Sequence, residues 1–185
     1  MKRIRGVLCG EASVGKSALL RCFSNQPFQE NLTSTIAGAF FSKIITVHDE
    51  QVSVEIWDTA GSERYHSVIP SFFRNASAIA IIYDITNRDS FLNLKFWHEF
   101  AQMNAPPGTP IFVVGNKVDL DAKRTVSYQE GKQYMQYIEA AAFLETSAKT
   151  GEAVDGLFVM FANADGTITP EGFAPSVRRE KRGCC

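Results

Sequence analysis

The segment from Gly10 to Ser17 has the residue types and spacing of a phosphate-binding loop. It reads Gly-Glu-Ala-Ser-Val-Gly-Lys-Ser and lies between an apolar run and a predicted helix, the context that the pattern G-x-x-x-x-G-K-[ST] requires. The glycines allow the backbone to curl, so that N–H groups and the helix N-terminus face phosphate oxygens. We predict that Lys16 binds the β- and γ-phosphates and that Ser17 is a ligand of Mg²⁺. A glycine-containing turn that binds nothing is the alternative, which the Lys-Ser pair disfavours.

Two further residues carry oxygen atoms suited to the same metal, because Mg²⁺ takes oxygen ligands and retains water. Asp58 follows the third predicted strand, and Thr35 lies in the polar loop before the second strand. We predict that Asp58 holds the ion through water. Thr35 would add a hydroxyl ligand when a γ-phosphate is present, although a loop threonine alone carries no such implication.

Two polar segments follow the fifth and sixth predicted strands and predict a base-binding site. They are 116–119, Asn-Lys-Val-Asp, and 147–149, Ser-Ala-Lys; in open α/β sheets, ligands bind where strands end. The Asp119 carboxylate can accept from both N1–H and N2–H₂ of guanine, a donor pair that adenine lacks. A backbone N–H of the second segment could bond the guanine O6. The Lys117 stem could lie on one face of the base, and Phe28 could cover its edge.

Apolar runs rich in Ile and Val recur along the chain with helical stretches between them. The runs span residues 4–9, 40–47, 52–57, 79–83, 111–114 and 141–144. Helices are predicted at about 15–25, 66–74, 89–104, 128–139 and 152–163. Strands that alternate with helices predict a mostly parallel sheet covered on both faces. Segments 40–47 and 52–58 flank the polar turn His48–Gln51 and predict an antiparallel hairpin at the sheet edge.

Local signals also mark the last two helices and the end of the folded domain. Ser127 and Glu130 form a capping-box pattern. An apolar stripe at helical spacing predicts that the last helix packs on the sheet; its members are Val154, Leu157, Phe158 and Phe161. From about residue 165 onward, Gly, Pro, Thr and charged residues replace the periodic pattern, which predicts a flexible tail over 165–185 after a domain over 1–164.

Composition bounds the class of protein. The chain has 185 residues, is 45% hydrophobic and carries a formal net charge of -1, so it can bury one core and has no field that would draw it onto nucleic acid. No run approaches the roughly 20 apolar residues of a membrane span, and the start lacks a signal-peptide pattern. We expect a cytosolic protein with reduced cysteines.

The motifs in this order resemble the Ras superfamily of small GTPases, over about residues 3–164. The carrying motifs are the phosphate loop, Thr35, 57–61 (Trp-Asp-Thr-Ala-Gly), 116–119 and 147–149. Within the superfamily, 83–86 (Tyr-Asp-Ile-Thr), 63–65 (Glu-Arg-Tyr) and the terminal Cys-Cys resemble the Rab branch. Segments 35–40 and 65–67 resemble its endosomal members.

The resemblance implies a P-loop NTPase fold with a six-stranded, mostly parallel sheet, one antiparallel edge hairpin and helices on both faces. It also implies a monomeric GTP/GDP switch with Mg²⁺ that recruits effectors in vesicle traffic and is controlled by an exchange factor and a GTPase-activating protein. The implied nucleotide contacts are Ala12, Ser13, Val14, Gly15, Lys16, Ser17, Ala18, Phe28, Thr35, Gly61, Asn116, Lys117, Asp119, Ser147, Ala148 and Lys149.

An aromatic triad is carried over from the same resemblance. Phe40, Trp57 and Phe72 correspond to the residues that Rab effectors contact on the switch surface, although the family usually has Tyr at the last position. Aromatic side chains on strands and amphipathic helices are more often part of a core. Only the resemblance favours the effector interpretation.

The residue after Gly61 departs from the family pattern. The family places Gln there to orient the attacking water, and this chain has Ser62, which is too short to reach the same place. With Lys16, Gly61 and Ser62 as the predicted catalytic residues, we expect slow GTP hydrolysis, unless Ser62 holds a bridging water or a partner supplies the missing group. A hydrolysis-deficient, GTP-bound scaffold and an ATP-using phosphoryl-transfer enzyme are the alternatives, and segment 116–119 argues against the second.

The tail combines basic residues with two terminal thiols. Arg178, Arg179, Lys181 and Arg182 precede Cys184 and Cys185, which do not form a C-a-a-X box. The resemblance implies prenylation of both cysteines with the help of escort and carrier proteins. Two lipid chains give stable anchoring, and the basic residues attract an anionic leaflet. The expected location is therefore the cytosolic face of intracellular membranes, and the resemblance to endosomal members implies those of the endosomal system.

Overall fold

The computed structural model describes residues 1–29, 39–47, 49–59 and 69–164. Its strands are β1 (Lys2–Cys9), β2 (Ala39–Val47), β3 (Glu50–Asp58), β4 (Ala78–Asp84), β5 (Ile111–Asn116) and β6 (Ala142–Thr146). Its helices are α1 (Lys16–Phe23), α2 (Ile69–Phe73), α3 (Arg88–Leu92), α4 (Leu94–Asn104), α5 (Tyr128–Tyr137) and α6 (Val154–Ala162), with a 3-10 helix at Val118–Lys123.

The six strands form one sheet in the order β2-β3-β1-β4-β5-β6. β2 and β3 pair antiparallel, and the other pairs are parallel. Every residue of the central strand β4 is buried, as expected for a strand covered on both faces. The predicted mostly parallel sheet with one antiparallel edge hairpin is confirmed.

Helices cover both faces of the sheet and enclose two apolar cores. On one face, α1 and α6 pack over the sheet, and the rings of Phe23 and Phe158 stack with centroids 3.8 Å apart. α6 lies so close to β1 that a Cβ on Gly6 would be 2.7 Å from the Phe161 ring. The opposite face is covered by α2 to α5 around Trp97 and Phe73. Full burial of one such aromatic ring contributes about 1.5–3 kcal/mol.

The predicted caps and stripes are present. Ser127 and Glu130 exchange the two hydrogen bonds of a capping box at the start of α5. All four stripe residues of the last helix are buried, which confirms that α6 packs on the sheet.

Several predicted boundaries are wrong. The helix predicted at 89–104 is two helices, α3 and α4, because the Asn93 backbone has a ψ of -3° and so departs from α-helical geometry. The predicted turn His48–Gln51 is shorter, since Glu50 already pairs with Val47. The 3-10 helix was not predicted, because its one or two turns are too short to show a period.

Three parallel strands end at one level of the sheet. In the β4–β5–β6 ladder, Asp84 lies beside Asn116, and Asn116 lies beside Thr146. The strands extend past their predicted ends, so that these polar residues complete them. This register gathers the side chains of three strand ends at one rim.

No helix of the described ranges has the length and apolar character needed to cross a membrane. Several predictions fall on residues outside those ranges: the loop ligand Thr35, the pair Gly61 and Ser62, and the tail 165–185 with Cys184 and Cys185.

Candidate nucleotide site

The loop after β1 is curled by residues with left-handed backbone conformations. Gly10, Ser13 and Gly15 have φ values of 138°, 64° and 100°. A side chain on Gly10 would collide with the Ile82 carbonyl of β4, and one on Gly15 would collide with the Asn116 amide. Both positions therefore require glycine, because a Cβ would collide with its neighbours and because the backbone φ is positive. Ser13 adopts its conformation despite having a Cβ.

The loop opens directly into α1. Gly15 occupies the N-cap position, and among the described residues no side chain caps the helix. The N-terminus of a helix, where the first N–H groups have no partner within the helix, is suited to bind an anion. The loop residues differ in exposure: Ala12 and Ser13 face solvent, while Val14 and Ala18 are buried.

Lys16 is buried, with 6% of its surface exposed. Its Nζ donates to the carbonyls of Gly10 at 2.8 Å and Glu11 at 2.7 Å. Burial lowers the pKa of Lys16, and the negative charge of Asp58 opposes part of that shift. An anion held in the loop would favour the charged form further, so the loop is suited to bind phosphate.

Ser17 and Asp58 bring two oxygen groups together next to the loop. The Ser17 hydroxyl, in the first turn of α1, donates to Oδ2 of Asp58 at the end of β3, and Asp58 is buried. A hydroxyl and a carboxylate are the ligand types that Mg²⁺ takes. The residues therefore fit the ion that the sequence implies, and these two would hold it. Bound Mg²⁺ would neutralise charge on the phosphates.

Asn116 connects the phosphate loop to the two segments predicted to bind a base. Its Nδ2 donates to the Val14 carbonyl at 2.8 Å. Its Oδ1 accepts from the Thr146 hydroxyl at 3.2 Å and from the Ala148 N–H at 3.3 Å. Asn116 is 1% exposed, so this amide fixes three chain segments relative to one another.

The side chains of the base segments are also brought together. The Ser147 hydroxyl donates to Oδ1 of Asp119 at 2.6 Å, which orients that carboxylate. The Thr150 N–H in turn donates to the Ser147 hydroxyl. Lys149 lies over the ring of Phe28 with Nζ 6.0 Å from the centroid. The carboxylate of Asp119 can recognise a purine by hydrogen bonds, and the apolar ring of Phe28 can cover its edge.

A model of the Ras family matches residues 5–165 of the chain. The chain belongs to the Ras family. It is therefore a Ras-like small GTPase, a class of protein that binds guanine nucleotides, and the alternative of an ATP-using enzyme is disfavoured.

In this Ras-family chain, the described residues predicted to bind phosphate, Mg²⁺ and the base lie in the loop after β1 and at the ends of β3, β5 and β6. Phe28 follows α1 and is placed by its contact with Lys149. Three predicted site residues lie outside the described residues: the loop ligand Thr35 and, after β3, Gly61 and Ser62.

Three aromatic side chains form a contiguous cluster that reaches the surface, the aromatic triad of Phe40, Trp57 and Phe72. Phe40 and Trp57 are opposite one another on β2 and β3, with ring centroids 4.9 Å apart. Phe72 of α2 stacks on Trp57 at 4.8 Å. Phe40 is 53% exposed. Phe73, which follows Phe72 in the chain, is fully buried. Of the triad, Phe40 lies at the surface, whereas Trp57 and Phe72 are half-buried and pack against the core that contains Phe73.

Two contacts at the site were missed by sequence reasoning. The Trp97 indole of α4 donates to the Glu11 carboxylate in the phosphate loop at 3.3 Å; no sequence signal joins residues so far apart. The Lys117 ammonium lies 2.6 Å from a carboxylate oxygen of Asp84. For the contact between Lys117 and Asp84 a sequence signal does exist, because Asp84 ends the strand next to β5.

Proposed function

We propose that this Ras-family GTPase is a Rab-type switch that recruits effectors to intracellular membranes, those of the endosomal system, when it carries GTP. An exchange factor loads it, and a GTPase-activating protein returns it to the GDP form. Segments 83–86 and 63–65 and the terminal Cys-Cys support the Rab assignment by resemblance. The sequence of 35–40 supports the endosomal one.

The observation that carries this proposal is the aromatic triad. The exposed ring of Phe40 packs on Trp57, which is itself stacked on Phe72, so the exposed ring has a firm apolar support. Exposed aromatic residues of this kind are enriched at protein interfaces. Phe40 lies near the start of β2, which follows residues 30–38, and Trp57 lies near the end of β3, which precedes residue 60. A change at the γ-phosphate that reaches these segments would therefore alter the aromatic triad.

The roles that we propose for individual residues in nucleotide binding follow from their positions around the ends of the strands. Lys16 and the N–H groups of its loop bind the phosphates, and Ser17 with Asp58 holds Mg²⁺. Asp119 selects guanine, while Lys117 and Phe28 flank the base. Thr35 and Gly61 contact the γ-phosphate in the GTP form.

Two further parts of the proposal concern residues outside the described ranges. Ser62 in place of Gln makes intrinsic hydrolysis slow, because positioning of water is one of the main catalytic contributions to phosphoryl transfer. Prenyl groups on Cys184 and Cys185 hold the protein on the membrane, and carrier and escort proteins deliver it there.

Comparative capture of partners tests the switch. Protein loaded with a non-hydrolysable GTP analogue should retain partners from a membrane extract that the GDP-loaded form does not retain. Phe40→Ala should abolish that difference. Ile44→Ala is the matched control, since Ile44 projects from the same face of β2 and is 54% exposed. Equal capture by both nucleotide forms, or equal loss with both variants, would contradict the proposal.

The GTP-bound scaffold is separated from the switch by the nucleotide found in the purified protein. Chromatography of the nucleotide released by acid should give mainly GDP for a switch that hydrolyses GTP slowly. Mainly GTP would favour the scaffold.

A further inference from the structure

The carboxylate of Asp84 is fixed at the rim beside the base segments. It ends β4 and pairs in register with Asn116 of β5. Its Oδ1 accepts from both the N–H and the hydroxyl of Thr86, at 2.8 and 2.7 Å. Its Oδ2 faces Lys117. The side chain is 9% exposed, so this carboxylate is held in one orientation.

The side chain of Lys117 needs such a partner to have one fixed position. Lys117 has φ 73° and ψ 36°, a left-handed conformation that costs an L-residue on the order of 1 kcal/mol. Its side chain has four rotatable bonds, and 31% of it is exposed. Unless its end is held, the stem has no fixed position. The 2.6 Å contact between Nζ and Asp84 Oδ2 holds that end.

We infer that Asp84 is a positioning residue for guanine binding: it orients the stem of Lys117 as the platform on which the base lies. This inference rests on the proposed role of Lys117. It also gives a physical role to the segment Tyr-Asp-Ile-Thr at 83–86, in which Asp84 orients Lys117 and Thr86 orients Asp84. A lysine held in place before binding loses less conformational freedom when the base arrives.

A double-mutant cycle on the full chain tests the inference, with the dissociation rate of a fluorescent GDP as the readout. Asp84→Asn should accelerate dissociation about tenfold, the effect of losing one charge-assisted hydrogen bond. Lys117→Met keeps the stem and removes the charge. In that background, Asp84→Asn should change the rate by less than about twofold, because the two residues act as one unit.

Matched variants separate positioning from a loss of charge or of fold. Asp89→Asn removes a nearby exposed carboxylate and should leave the rate unchanged. Thr86→Val, which removes the hydroxyl hydrogen bond to Oδ1 of Asp84 and keeps the backbone one, should accelerate release by a smaller factor, and Thr86→Ser should not. If Asp84→Asn fails to fold, this Thr86 pair carries the test.

The outcomes distinguish this inference from the proposed function. If the wild type binds GDP but the two effects are additive in the cycle, or Thr86→Val and Thr86→Ser behave alike, Asp84 has only a structural role and the inference is wrong. If the wild type does not bind GDP at all, the proposed function itself fails. Coupled effects on release, with unchanged thermal stability of the nucleotide-free form, are the expected result.

Discussion

Substituting Asn116 by Ala should loosen the phosphate loop and the base segments at once. The amide makes hydrogen bonds to Val14, Thr146 and Ala148, and the side chain is buried. Each bond contributes about 1 kcal/mol, and the loss of all three should lower the free energy of unfolding by about 3 kcal/mol. Because Val14 lies in the loop, GDP release should also accelerate, by about tenfold or more.

Urea unfolding at fixed concentrations of GDP and Mg²⁺ measures the stability change, since bound ligand contributes to apparent stability. Asn104→Ala is the control: its amide donates to the Phe100 carbonyl one turn earlier in α4, and its loss should cost about 1 kcal/mol or less. If Asn116→Ala were no more destabilising than Asn104→Ala and released GDP at the wild-type rate, the connecting role assigned to this amide would be refuted.

Three other variants and one treatment extend the test. Gly15→Ala should abolish nucleotide binding in calorimetry while the chain remains folded by circular dichroism, because the new methyl group would displace the Asn116 amide; retained affinity would contradict the packing. Ser62→Gln should raise the single-turnover rate of GTP hydrolysis, and an unchanged or lower rate counts against the water-positioning argument. Replacing Cys184 and Cys185 by Ser should move the protein from the membrane to the soluble fraction of cells, a shift that an unmodified tail would not show. Chelation of Mg²⁺ should accelerate GDP release, and a rate independent of the chelator would argue against the oxygen ligands assigned here.

The sequence predicts most of the rim, because each motif lies where a strand ends. The strong motifs are local: Lys16 and Ser17 follow β1 directly, and Asp119 follows β5. In an open parallel sheet, strand ends meet at one edge, so local patterns are enough to predict that these residues come together.

What the sequence does not predict depends on contacts between distant segments or on single-residue geometry. The interruption at Asn93 leaves the apolar spacing of both helices intact, so periodicity cannot detect it. The pairing of Asp84 with Lys117 joins adjacent strands and needs the register. The surface position of Phe40 was also undetermined, because an aromatic residue on a strand can face either side.

The most direct test of the account is a calorimetric titration of the protein after its nucleotide has been removed. In the presence of Mg²⁺, GDP and GTP should bind with one-to-one stoichiometry, ATP should not bind measurably, and Asp119→Asn should weaken the guanine nucleotides. Equal binding of ATP, or no heat with either guanine nucleotide, would contradict the claim that this rim recognises guanine and its phosphates.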